Sequence, residues 1–142
     1  MPTVGALSSI WLFSSLDEKQ REQLNAFTFE RAFRPGEVIV EEGRTGNGLY
    51  FITSGLVEVV RGASTANPLL LATLGKGEFF GEMALLEEWP RSATVRALED
   101  TACIGIDRWL FLMQLRRDPD IAIVMLQAMA RRLRETDERL AH

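Results

Sequence analysis

The chain has 142 residues, 46% hydrophobic and 25% charged, with a formal net charge of −4. That length suits one domain with a sizeable core, and the acidic balance gives no general attraction to nucleic acid or to an anionic membrane. Cys103 is the only cysteine and His142 the only histidine, which excludes a disulfide framework, a Cys–His metal set and a histidine-based catalytic triad.

Met1 to Phe13 is small and apolar. It reads as a loose start with a short helix near Ile10. No Lys or Arg precedes its apolar stretch, as a secretory signal requires, and no apolar run approaches the ~20 residues of a membrane span. The cytoplasm is the expected location. Ser15-Leu16-Asp17-Glu18 has the form of a capping box, with Glu18 three residues after Ser15. The helix it opens runs to about Asn25.

From Phe27 the apolar period changes to two. Strands are expected at 28–33, 38–40, 49–53, 56–60, 69–74, 94–97 and 102–106. Arg34-Pro35-Gly36-Glu37 is a turn with Pro at its second position. Ser54-Gly55 and Gly75-Lys76-Gly77-Glu78 are further turns, and Gly62 to Pro68 is a turn-rich loop. Short strands broken by glycine turns roughly every 8–12 residues predict a β-sandwich or a jelly-roll barrel. Cys103, between Thr101-Ala102 and Ile104-Gly105-Ile106, reads as a buried strand residue rather than a reactive thiol.

Phe79 to Val95 reads as a strand end, a glycine turn, one short helical turn, a loop closed by Pro90 and a new strand. Gly81 lets the backbone approach a ligand closely, because no Cβ stands in the way. Helix formers from Glu82 through Met83 and Ala84 to Leu86 leave their first N–H groups free to face an anion. Arg91 adds a planar fork of donors, and Ser92 and the Ala93 N–H add neutral ones. Glu82 is an acceptor only, which fits a ligand that also carries hydroxyls. A small phosphate ester with a sugar hydroxyl meets these groups. Taken singly, Arg91 near Glu87 and Glu88 reads as a surface ion pair, and Glu82 as an acid favoured at a helix start. The case for a site lies in their combination.

Asp107 is expected to cap a short helix through Leu115. Asp118-Pro119 is a second start signal, and the chain then reads as helical to about Leu140. Ala122, Leu126, Met129, Leu133, Thr136 and Leu140 step by a heptad spacing, which is a coiled-coil seam. Ile121, Val124, Met125 and Ala128 form a second apolar face. The competing reading is one wide stripe buried wholly within the monomer.

Phe80-Gly81-Glu82-Met83-Ala84-Leu85 followed by Pro90-Arg91-Ser92-Ala93-Thr94-Val95 resembles the phosphate-binding cassette of cyclic-nucleotide-binding domains. That family includes the catabolite activator protein, protein kinase A regulatory subunits and cyclic-nucleotide-gated channels, and the resemblance runs from about Leu12 to the chain's end. It implies that Glu82 binds the ribose 2′-hydroxyl, that Arg91 pairs with the cyclic phosphate, and that the N–H groups of Gly81, Ala84 and Ala93 complete the cradle. By the same alignment Val59, Leu71, Ala72 and Met83 line the sugar and base pocket, although aliphatic strand residues are also ordinary core. Residues 129–139 resemble the long dimerisation helix of the catabolite activator protein. There a threonine matching Thr136 reaches the adenine amino group, and the next residue is a serine that contacts the partner subunit's ligand. Here that next residue is Asp137. Thr136 reads equally well as a small polar residue that sets register in the seam. Family members tuned for cyclic GMP often carry Thr where this chain has Ser92, which favours cyclic AMP, with cyclic GMP as the alternative ligand.

The expected architecture is mainly β with flanking helices: a jelly-roll β-barrel (double-stranded β-helix) with short N-terminal helices and a long C-terminal one. It forms a single domain over 1–142, with N-terminal helices at 1–27, the barrel at 28–106 including the cassette at 79–95, and C-terminal helices at 107–141. Cupin chemistry needs several His with a carboxylate, and no Walker-type Gly-Lys-Ser/Thr is present. The expected function is therefore not catalytic. It is a cyclic-nucleotide sensor with cyclic AMP as ligand, no cofactor and no metal, whose binding moves the C-terminal helix. The expected partners are a second copy through that helix and an unidentified effector protein. Direct DNA contact is not expected, since the chain stops at His142 with no recognition helix. Two other readings stay open: the sensor half of a catabolite-activator-type transcription regulator, and a non-binding dimerisation domain of the same fold.

Overall fold

The computed structural model describes residues 13–45, 48–81, 83–87 and 90–141. The helix expected near Ile10, the carboxylate of Glu82 and His142 lie outside the described residues. The chain divides into two compact units, one over Thr28–Trp109 and one joining the segments Met1–Phe27 and Leu110–His142.

The first unit holds eight strands: β1 (Thr28–Phe33), β2 (Val38–Val40), β3 (Gly48–Ser54), β4 (Leu56–Arg61), β5 (Leu69–Gly75), β6 (Phe79–Phe80), β7 (Thr94–Ala97) and β8 (Thr101–Asp107). They form two four-stranded antiparallel sheets, ordered β1-β8-β3-β6 and β2-β7-β4-β5. This alternation of chain-distant strands is jelly-roll topology. The core between the sheets takes Ile52, Phe80 and Cys103 from one and Val57 and Val95 from the other. Burial of such side chains is the main term holding two sheets together.

Local chemistry sets the turns. At Arg34–Glu37 the Glu37 N–H donates to the Arg34 carbonyl at 3.0 Å, with Pro35 fixing the first corner and Gly36 at φ +89° taking the second. That is a type II turn. At Gly75–Glu78 the Glu78 N–H closes on the Gly75 carbonyl at 3.0 Å, while Gly77 and Glu78 exchange bonds of 2.9 and 2.8 Å with the Ile52 backbone. This second turn delivers β6 to the edge of β3, where Tyr50 pairs with Phe80 and Phe51 with Phe79.

In the second unit, α1 (Glu18–Asn25) ends where expected but begins two residues later than a Ser15 cap implies. Asp17 is the N-cap, and it exchanges capping-box bonds with Gln20 at 2.8 and 3.1 Å. Ser15 and Glu18 do not form the box. Asp accepts from N–H groups as well as Ser does, and placing it two residues later puts Gln20 at the reciprocal position. α3 (Arg108–Arg117) starts after Asp107, the last residue of β8, and runs two residues beyond the expected end at Leu115. Its numbering follows the single-turn α2 (Met83–Leu86) inside the cassette.

The long helix α4 (Pro119–Ala141) starts at the Asp118-Pro119 signal, with the Asp118 carboxylate accepting from the Asp120 N–H at 3.2 Å. Its face through Ile121, Met125 and Ala128 is buried, whereas Leu126 and Leu133 are 63% and 64% exposed. The two apolar faces expected from spacing are thus different in kind: one is consumed by the fold and one is not. No described helix is long and apolar enough to cross a membrane.

Candidate functional site

Gly81 follows β6 directly and adopts φ +85°, a conformation that side chains with a Cβ rarely take. A Cβ at this position would fall on the Arg91 guanidinium and lie 2.9 Å from the Gly48 carbonyl oxygen. The guanidinium therefore lies across bare backbone. Its Nη2 donates to the Gly48 carbonyl at 2.7 Å, which aims the rest of the planar fork.

The Arg91 backbone is held from both sides. Its N–H donates to the Arg44 carbonyl at 2.8 Å, its own carbonyl accepts from the Gly43 N–H at 2.8 Å, and Pro90 bridges to Thr45. Pro90 lacks an N–H and presets φ, so the loop enters Arg91 with little freedom. Behind the guanidinium, the Tyr50 ring stacks on Phe80 with centroids 5.5 Å apart and planes 20° apart. Burial pushes the Tyr50 hydroxyl above its ordinary pKa, while the positive charges of Arg91 and Arg31 pull it the other way.

These groups edge a cavity of about 400 Å³, in the range of small-molecule sites. Its apolar wall is a single row across the second sheet, since Val40 and Val59 both stand opposite Val95 in the ladders. Phe80, Gly81, Ala84, Glu87, Pro90, Arg91, Ser92 and Ala93 complete the lining. The Ala84 N–H is committed to the Gly81 carbonyl at 3.0 Å, as in a first helical turn. Such an arrangement can place a small apolar body against valine and phenylalanine while a guanidinium meets its anionic end.

Of the residues singled out by sequence, Gly81, Ala84, Arg91, Ser92, Ala93 and Val59 line this one cavity. Glu82 is outside the described residues, and Met83 opens α2. Ala72 stands opposite Val59 in the β4–β5 ladder, but the register shift there leaves Leu71 as an extra residue. Neither is part of the cavity lining, and Leu71 is largely exposed. Thr136 belongs to the helical unit, where its hydroxyl donates to the Arg132 carbonyl at 3.0 Å. The lining also includes Val40, Val95, Phe80, Glu87 and Pro90, which sequence reasoning did not select. Phe80, Glu87, Pro90 and Val95 sit in the cassette beside chosen residues, so adjacency was a usable signal; Val40 is brought in by strand register and had none.

Cys103 lies far from thiolate chemistry, since burial pushes its thiol up to about 11 and the side chain is 1% exposed. Among the described residues no group of three or more His, Cys, Asp or Glu is placed to hold a metal ion.

A jelly roll carrying such a cavity, with an arginine seated on a glycine turn at its rim, has the architecture of a nucleotide-binding regulatory domain. The chain belongs to the cyclic nucleotide-binding domain family, whose model matches residues 30–118. It is 37% identical over 126 residues to the cyclic AMP receptor protein of Thermus thermophilus, covering 89% of this chain and 58% of that protein. It is 42% identical over 105 residues to a cGMP-dependent protein kinase of Toxoplasma gondii, covering 73% of this chain and 10% of the kinase. The solved N-terminal domain of a transcriptional regulator from Streptomyces coelicolor A3(2) superposes with a TM-score of 0.86 at 32% identity, covering 95% of this chain and 94% of that one. The chain thus spans little more than half of the receptor protein and a tenth of the kinase.

Proposed function

We propose that this chain is a sensor module that binds cyclic AMP in the cavity beneath Arg91 and transmits occupancy through α4. The observation that carries the reading is the Arg91 guanidinium seated over Gly81 at the rim of an apolar cavity. A cyclic phosphate has one negative charge and paired oxygens, which a fixed planar fork can meet with two parallel bonds. In this reading the Gly81 and Ala93 N–H groups and the Ser92 hydroxyl surround the same phosphate, Glu82 takes the ribose 2′-hydroxyl, and Val59 and Met83 flank sugar and base.

Ser92, where relatives tuned for cyclic GMP often carry Thr, supports cyclic AMP over cyclic GMP. The role is regulatory and not catalytic, with cyclic nucleotide as ligand and no metal or cofactor. The share of the Thermus receptor protein that it spans, and its likeness to the Streptomyces N-terminal domain, favour the sensor half of a transcription regulator that acts as a dimer through α4. A cytoplasmic location fits that role.

Thermal unfolding with and without nucleotide tests the reading. Cyclic AMP at a hundred times its dissociation constant should stabilise the fold by about 2.7 kcal/mol, with cyclic GMP needing higher concentrations for the same shift. No shift at millimolar cyclic AMP, in protein freed of co-purified nucleotide, removes the proposal.

A further inference from the structure

Among the described residues lining the cavity, two carry formal charge: Arg91 and Glu87. Glu87 is the residue after α2, on the loop that leads to Pro90. A carboxylate is an odd choice in a cavity built to receive an anion. Its cost is small for a ligand with one negative charge and larger for a ligand with two, and this difference is usable.

We propose that Glu87 is a specificity-determining residue that admits a singly charged phosphodiester and turns away nucleotides ending in a doubly charged phosphate; the proposal rests on the cyclic-nucleotide reading of the same cavity. Adenosine 5′-monophosphate differs from cyclic AMP by the elements of one water, and it offers the same base and the same 2′-hydroxyl. Apolar contact with Val40, Val59 and Val95 cannot separate the two. Charge can. A cyclic phosphodiester has one ionisable oxygen and stays at −1, whereas a phosphomonoester has a second ionisation near pH 6 and carries about −1.5 to −2 at pH 7. Arg91 attracts and Glu87 repels each unit of ligand charge, so the affinity that Glu87 removes is larger for the dianion than for the monoanion. Across a cavity of this size, at the effective dielectric of a protein surface, each unit of ligand charge facing one carboxylate changes affinity by about tenfold. The overall charge of −4 acts on all anions from farther away and is largely screened.

The test compares cyclic AMP and adenosine 5′-monophosphate by calorimetric titration at pH 7.5 and about 0.15 M salt, for wild type and for Glu87→Gln and Glu87→Ala. Both ligands should bind the variants more tightly, the monophosphate by nearly the square of the factor for cyclic AMP. The preference for cyclic AMP should therefore fall by about tenfold. The salt dependence of the preference should be weaker in Glu87→Gln than in wild type, and two substitutions of different size guard against a folding defect in either one. Equal factors for the two ligands in both folded variants would show that Glu87 shapes the loop without selecting charge and would overturn the proposal. Failure of wild type to bind cyclic AMP is a different result, and it removes the cyclic-nucleotide reading itself.

Discussion

Gly81 and Arg91 depend on each other. The glycine adopts φ +85°, and the space a side chain would need is filled by the arginine that the site requires. Gly81→Ala therefore imposes two penalties. The backbone conformation costs on the order of 1–3 kcal/mol for a residue with a Cβ, and the new methyl displaces the guanidinium from the Gly48 carbonyl. The expected outcome is a lower melting temperature together with a loss of cyclic AMP affinity of tenfold or more, measured by thermal unfolding and titration. Affinity equal to wild type in folded Gly81→Ala would mean that the guanidinium is not placed by this contact. At this scale the sequence was informative: glycine, arginine and their neighbours Ser92 and Ala93 carried recognisable chemistry in one short stretch. Glu87 was visible only as a member of an acidic pair, because nothing in a sequence says that an exposed carboxylate lines a cavity.

Elements were legible where one local signal dominates. Asp118-Pro119 marked the start of α4, and Pro35-Gly36 marked a type II turn. Helix α1 was read correctly at its end but not at its cap and start, since Ser15 and Asp17 are both good acceptors and spacing alone does not choose between them. α4 also carries a prediction. Its outward row through Leu126 and Leu133 is 63% and 64% exposed, and a heptad stripe left open on a long helix fits a second copy of the chain. Leu133→Asp should convert a dimer into a monomer in sedimentation, and the cavity, built by the strand unit, should still bind nucleotide. A wild type that sediments as a monomer with and without ligand would remove the dimer and leave this row to another partner.

For the whole molecule, the alternation of short apolar runs foretold two packed antiparallel sheets but not their order. Strand β8 pairs with β1 and β3, and β7 with β2 and β4. Pairings this far apart in the chain are set by how the whole core closes. The valine row of the cavity, Val40–Val95–Val59, is a product of that closure, which is why Val40 and Val95 were not picked out in advance and Val59 entered only through the family resemblance. The rest of the lining belongs to the cassette, which is contiguous and was legible.

The central claim is that the cavity holds the cyclic phosphate against Arg91. It is tested most directly by titrating cyclic AMP into wild type and Arg91→Ala under the same conditions. The account predicts one site per chain in wild type and a loss on the order of 2–5 kcal/mol in the variant, because a desolvated phosphate is left without its partner. The variant's melting temperature without ligand should stay near that of wild type. Equal affinity in the two proteins would place the phosphate elsewhere and contradict the account.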